Sequence, residues 1–400
     1  MALGIMGLLD RIGASRAMMK FLTIYCGFGF LVVLASNVWS ISTWTETRAV
    51  YDDICYLRQA HLFERFGLGG LDTNITRDDD HYLRDKLKEI NFPTWSDVTT
   101  APCHTPMPAS KKLVLQYPPG TGFVLSLFPA GFQVIPLYAL TSIVAVMLSF
   151  VAMSRAVTIC ALMLVAAFGD CVIYLMINPT KASYSMAPTM MVCALAGFLT
   201  AKLFSGGAPR QRLVLTALIG LLIGFSVSLR LPNLFLSAGY FIFFLGSFLM
   251  VRSKERFWEG LLFAIAFLIG LAPTLAANTI NAGSPFATTY GGADVAPPEL
   301  NATVLSSYLA DVQFILLVIA AAWTALIWRF NDRTGARHAA LVVAGNLVVN
   351  VIFFMTHPLF TPYYTIPIAM LSLWTLLFAT LRPRRQSVAD NPAFAQPAKA

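Results

Sequence analysis

Apolar runs of 18 to 21 residues recur along most of this chain, and a run of that length has few places to fold in water. A helix of about 20 apolar residues crosses the hydrocarbon of a bilayer, and it pairs every backbone N–H and C=O within its own segment. The runs predict ten spans, at 21–41, 133–153, 156–176, 186–204, 213–229, 232–250, 258–277, 311–328, 339–356 and 363–381. A composition that is 57% hydrophobic and 12% charged leaves little chain for a soluble domain. The expected fold is therefore an all-α polytopic membrane protein.

Lys and Arg choose the orientation. With the N-terminal segment 1–20 in the cytoplasm, the cytoplasmic segments collect 17 basic residues, whereas the short segments opposite hold only Lys181 and Arg230. The segment 382–400 is then a cytoplasmic tail, and both termini share that side. The first run is read as an uncleaved anchor, because it is longer than the apolar region of a signal peptide. The net charge of +8 is accounted for by these anchors, so it points to no nucleic-acid site. The tail motif RPRR at 382–385 has the same explanation, with contact to anionic membrane lipids added.

The polar sequence is concentrated in one place. The segment 42–132 carries 11 of the 20 acidic residues and is expected on the exported, periplasmic face, with a shorter loop at 278–310 beside it. Within it, 51–66 reads as an amphipathic helix on the membrane surface, with Ile54, Tyr56 and Leu57 toward lipid and Arg58, Gln59 and Glu64 toward water. The stretch 77–90 reads as a solvated helix held by ion pairs, and 121–131 as an interfacial or re-entrant helix begun after Pro118 and Pro119. Cys55 and Cys103 share this loop, and whether they are bridged is open at this stage.

Candidate chemistry lies in the same loop and at span ends. Asp52 and Asp53 open the surface helix, where they either cap it or supply a general base. QYPPG (116–120) either stiffens a helix entry or, with Lys111 and Lys112 ahead of it, holds a phosphate. Arg230 either snorkels or pairs with a phosphate or carboxylate, and Asp170 is an acid inside a span, with Lys181 or Arg230 as its expected partner. Asn346 and Asn350, four apart on one face, suggest hydrogen bonds between helices. The five histidines form no metal-ligand pattern, and no CxxC, HExxH, P-loop or GxGxxG is present, so neither a metal nor a soluble cofactor is expected.

In order and context these residues resemble the GT-C superfamily of membrane glycosyltransferases, in the branch of aminoarabinose transferases and protein O-mannosyltransferases. The resemblance rests on Asp52, Asp53 and Tyr56 as D-[DE]-x-x-Y after the first span, and on Tyr117, Pro118, Pro119 and Gly120 as the PP motif. It extends to the small-residue span ending in Arg-x-Pro (220–236) and to NTINAGSPFATTY (278–290). Where aminoarabinose transferases commonly place a Lys before the PP pair, this chain has Tyr117.

The resemblance implies a polyprenyl-phosphate-linked sugar as donor, a glycan or lipid hydroxyl as acceptor, inversion at the anomeric carbon, and a bacterial inner-membrane location. It implies Asp52 as the base, with Asp53 orienting it or binding the acceptor. Lys111, Lys112, Tyr117 and Arg230 are the candidates for the donor phosphate, and Tyr56, Arg58, Asp170, Tyr290 and His357 for the remaining substrate contacts. The tail after 381 is too short for the soluble C-terminal domain of many relatives, so acceptor recognition is expected in the loops and late spans. A transporter or flippase of lipid-linked sugars is the rival. Such proteins usually show paired repeats, and none is visible here.

Overall fold

The computed structural model describes residues 16–43, 51–172, 183–290, 297–311, 313–357, 359–360 and 362–381; Lys181 and the RPRR tail lie outside them. The chain opens with α1 (Arg16–Ser42). The long loop then carries α2 (Tyr51–Phe66), α3 (Tyr82–Glu89), a hairpin of β1 (His104–Met107) and β2 (Lys112–Leu115), and α4 (Gly120–Leu125). The bundle continues through α5 (Val134–Arg155), α6 (Ile159–Cys171), α7 (Met186–Phe204), α8 (Pro209–Leu229) and α9 (Ala238–Val251). It closes with α10 (Lys254–Ala282), α11 (Ala302–Ala310), α12 (Phe314–Phe330), α13 (Thr334–Thr356) and α14 (Ile366–Thr380).

The chain is an all-α multi-pass membrane protein. Among the described residues eight helices are long and apolar enough to cross a bilayer, and α11 with α12 makes a ninth if the pair, bent by 79°, is one span. The segment expected at 156–176 appears as α6, whose 13 described residues fall short of a full crossing.

Close packing between spans uses small residues, as it must where lipid competes equally for apolar side chains. A Cβ on Gly224 of α8 would strike the Phe267 carbonyl of α10, and one on Gly270 of α10 would strike the Leu221 carbonyl of α8. Gly197 of α7 gives way to Trp374 of α14, which is fully buried. Asn346 accepts the Gly239 backbone N–H at 2.6 Å, and the Asn350 amide donates to the Phe235 carbonyl at 3.0 Å; both join α13 to the start of the α9 span.

The long loop departs from the expected surface helix. Tyr56, Leu57 and Ala60 of α2 join the core of the bundle, whereas Ile54 packs with Leu83 and Leu87 of α3 above it. α2 is thus enclosed on both sides, and Arg58 and Gln59, expected in water, are 0% and 1% exposed. Cys55 and Cys103 are bridged, with Cα atoms 6.5 Å apart, which pins α2 to the hairpin. The acids at 78–80 serve both helices: Asp79 pairs with Arg65 at 2.7 Å and Asp80 meets His61 at 2.6 Å, while Asp78 accepts the Leu83 backbone N–H of α3 at 2.9 Å. The helix expected at 121–131 stops at Leu125, before Pro129 and a left-handed Gly131.

His104 shows how dry this loop is. Its Nδ1–H donates to the Pro102 carbonyl at 2.8 Å, which leaves Nε2 to accept from Arg58 at 3.1 Å. Burial, and then the Arg58 charge, hold the imidazole down to about 3, far below its ordinary value. Between about pH 6.5 and that value the unfolded chain binds a proton that the folded chain refuses, so stability falls as pH falls, by roughly 1.4 kcal/mol per unit. We expect thermal unfolding midpoints to drop from pH 6.5 to 4.5, and His104→Gln to remove that part of the slope. Parallel slopes for the two proteins would show that another group is responsible.

Candidate functional site

Adjacent residues on a helix point about 100° apart, and this divides the two acids at the start of α2. Asp53 turns inward, is 1% exposed, and its Oδ1 accepts the Tyr184 backbone N–H at 2.8 Å. Asp52 turns instead into a cavity of about 180 Å³ at the same end of the bundle as the long loop. Asp53 is outside the lining of that cavity; it fixes the segment before α7, whose Ser183 and Ser185 line the wall.

QYPPG forms the second wall. Gly120 lies against the C-terminal end of α8, where a Cβ would come within 2.6 Å of the Ser228 carbonyl. Thr121 donates its hydroxyl to the Leu229 carbonyl at 3.1 Å. The Pro-Pro-Gly turn thereby brings Tyr117 beside the residue that follows α8, Arg230. The loop after α10 docks on the same turn, since the Thr289 hydroxyl donates to the Gln116 carbonyl at 2.9 Å, and this places Tyr290 in the cavity. Asn278 shapes that loop by donating to the Pro285 carbonyl at 3.2 Å, across a left-handed Gly283.

Inside, Tyr56 and Tyr117 stack with ring centroids 4.9 Å apart, and Tyr290 meets Tyr117 edge-on at 5.9 Å. The Gln116 amide donates to the Tyr117 hydroxyl at 3.1 Å, and Asp52 lines the same chamber. Burial raises the Tyr56 phenol well above its ordinary value; the Asp52 charge adds to this, while a hydrogen bond with Ser185 and the Arg230 charge oppose it. Burial, followed by the Asp52 charge, raises Tyr117 as well. Both phenols therefore act as neutral donors beside the carboxylate.

Arg230 is 7% exposed, with its guanidinium 5.0 Å from the Tyr363 ring and 4.9 Å from the Tyr364 ring, and it also contacts the Met186 sulfur. Among the described residues it forms no ion pair with Asp170, which lies next to Gly169 where α6 meets Phe30 of α1, away from the cavity. A carboxylate and a guanidinium thus share one small chamber walled by tyrosines.

The other nominated residues fall elsewhere. Lys112 is tied to Asp72 at 3.1 Å and to the Ile280 carbonyl at 3.0 Å, and Lys111 is exposed at the hairpin turn, so neither lysine lines the cavity. Arg58 is consumed by the Thr73 and Asn74 carbonyls, each at 3.0 Å, and by His104, which makes it part of the loop's core rather than a substrate contact. His357 stacks on Phe353 and is likewise outside the lining. Sequence reasoning passed over Ser183, Ser185, Tyr363 and Tyr364, and named Gln116 only as part of QYPPG. The Tyr pair stood in the HPLFTPYY stretch beside His357, and two adjacent phenols opening a span were the available signal.

Among the described residues no three His, Cys, Asp or Glu side chains converge to hold a metal ion. No family model matches this sequence, and comparison with curated proteins and with solved structures found no match.

Proposed function

We propose that this protein is an inverting glycosyltransferase of the GT-C kind, moving a sugar from a polyprenyl-phosphate donor to a hydroxyl of a glycan or lipid acceptor. The observation that carries the reading is the chamber in which Asp52 and Arg230 stand together among five tyrosines, at one end of the bundle. A donor anchored in the bilayer presents its scissile bond at headgroup depth, which is where such a chamber meets it. In this reading Asp52 takes the proton of the acceptor hydroxyl as its oxygen attacks the anomeric carbon. The bond from that carbon to the phosphate oxygen breaks, and the electron pair leaves with the phosphate beside Arg230.

The chamber's volume is below the roughly 300 Å³ of pockets that enclose a whole drug-sized ligand, and suits one phosphate or one sugar ring with the lipid tail outside. Tyrosine faces suit the C–H face of a sugar, and their hydroxyls its oxygens. The opposite end of the bundle carries Arg155, Lys202 and Arg333, so the positive-inside bias supports a chamber on the exported, periplasmic face of a bacterial inner membrane with both termini cytoplasmic. Transporter sites usually lie near the midplane between broken helices, and a chamber at the bundle end favours the transferase. Purified protein given a polyprenyl-phosphate sugar and an extract of envelope glycolipids should release polyprenyl phosphate and yield a heavier acceptor. Movement of the intact donor across a vesicle membrane, with no release, would replace the reading with the flippase.

A further inference from the structure

A second cavity lies at the other end of the bundle, roughly 30 Å away along α8, and has a volume of about 820 Å³. Five candidate spans end or begin around it. Arg155 closes α5, Lys202 stands in the last turn of α7, and Arg333 precedes α13; Asp332 is the one acid in the described lining, and its carboxylate lies 3.6 Å from Arg337. The Arg155 guanidinium lies over the rings of Phe198 and Phe378, at 5.4 and 5.2 Å. Among the described residues neither Arg155 nor Lys202 has a carboxylate at ion-pair distance.

Cations at helix C-termini are ordinary, since the dipole favours them and Lys and Arg anchor spans on one face. Anchors of that kind reach outward to water or headgroups. Here Arg155 is instead laid on rings from two central helices and is half-buried at the edge of an open cavity, with no carboxylate beside it among the described residues. The Thr334 hydroxyl and the Gln211 amide add donors around the same space, whereas Ser154 and Ser205 give their hydroxyl protons to the Val151 and Lys202 carbonyls, and Phe204 and Leu381 add apolar wall. Several converging cations with a hydroxyl and an amide donor match the oxygens of a phosphate, and the mixed wall accepts the carbon skeleton attached to it.

We propose that this cavity binds a phosphate-bearing anion, with Arg155 and Lys202 as its principal contacts, at a site separate from the Asp52 chamber and independent of the transferase reading. The phosphate belongs either to a lipid headgroup of the surrounding leaflet or to a small soluble phosphoester, and two arms of one experiment separate these sources. In the first, the full-length protein is placed in phosphatidylcholine nanodiscs with increasing phosphatidylglycerol. In the second, it stays in pure phosphatidylcholine and glycerol phosphate is titrated. The readout is the rate at which maleimide labels Ser154→Cys, followed on that peptide by mass spectrometry so that the native cysteines do not interfere.

Protection in the first arm alone assigns the site to lipid, and protection in the second assigns it to a soluble ligand. The double substitution Arg155→Gln with Lys202→Gln should raise the half-protecting concentration at least tenfold. Arg252→Gln, at the same end but outside the described lining, should leave it within twofold. Absence of protection in both arms would overturn the proposal, and so would an equal loss from Arg252→Gln, which would mean diffuse attraction to the charged face. If the double variant does not fold, Arg155→Lys alone serves, with a smaller but measurable rise expected because the fork of donors is lost.

Discussion

Asp52→Asn is expected to lower turnover by about 10²-fold or more while donor affinity changes little. The amide has the carboxylate's shape, so the stacked pair Tyr56 and Tyr117 beside it should stay in place. What is lost is a group able to take a proton from an acceptor hydroxyl. Asp53→Asn makes the contrast, because its oxygen can still accept the Tyr184 N–H and it lies outside the chamber; turnover should fall far less, with any loss appearing as a lower unfolding temperature. Initial rates over a range of donor concentrations separate kcat from KM. Near-normal kcat in Asp52→Asn would move the base to another residue.

Arg230→Ala should have the second-largest effect, with a fall of about 10²-fold in kcat/KM for the donor, because charge grows on the departing phosphate as the transition state is reached. Arg230→Lys should sit between that and the wild type. It keeps the charge but gives up the planar fork and the fit between the rings of Tyr363 and Tyr364. Both variants are to be compared with the wild type in a thermal unfolding scan, since emptying the space between two tyrosines costs packing whatever the chemistry. Full activity in both variants would remove Arg230 from the site.

The spans were legible because a membrane helix must carry its own apolar length in sequence, and the pairings of Asn346 and Asn350 followed from their four-residue spacing. The α2 helix was legible as a helix but not as a buried one. Its periodicity records one apolar face, whereas Ile54 and Leu57, three apart, are covered by different partners, one from α3 and one from the bundle. The direction of Asp53 was hidden for the same reason, since nothing local distinguishes an acid that holds a backbone N–H 131 residues away. The lysines at 111 and 112 preceded QYPPG closely, which suggested a shared phosphate. Strand β2 carries the chain away from them before QYPPG begins, and Lys112 answers to Asp72 instead. Tyr363 and Tyr364 carried a signal as adjacent phenols opening a span, but their place beside Arg230 depends on how the last span returns to the chamber.

The chamber draws its lining from Asp52 just after the first span and from Tyr363 and Tyr364 at the entry to the last, with QYPPG, Arg230 and Tyr290 between. Chain synthesis delivers these pieces in order, so every earlier product holds an acid and later an arginine that lack their companions. During membrane insertion the nascent chain therefore carries no complete chamber until the final helix is threaded back beside the end of α8, so on the proposed reading activity begins only when the last span is in place.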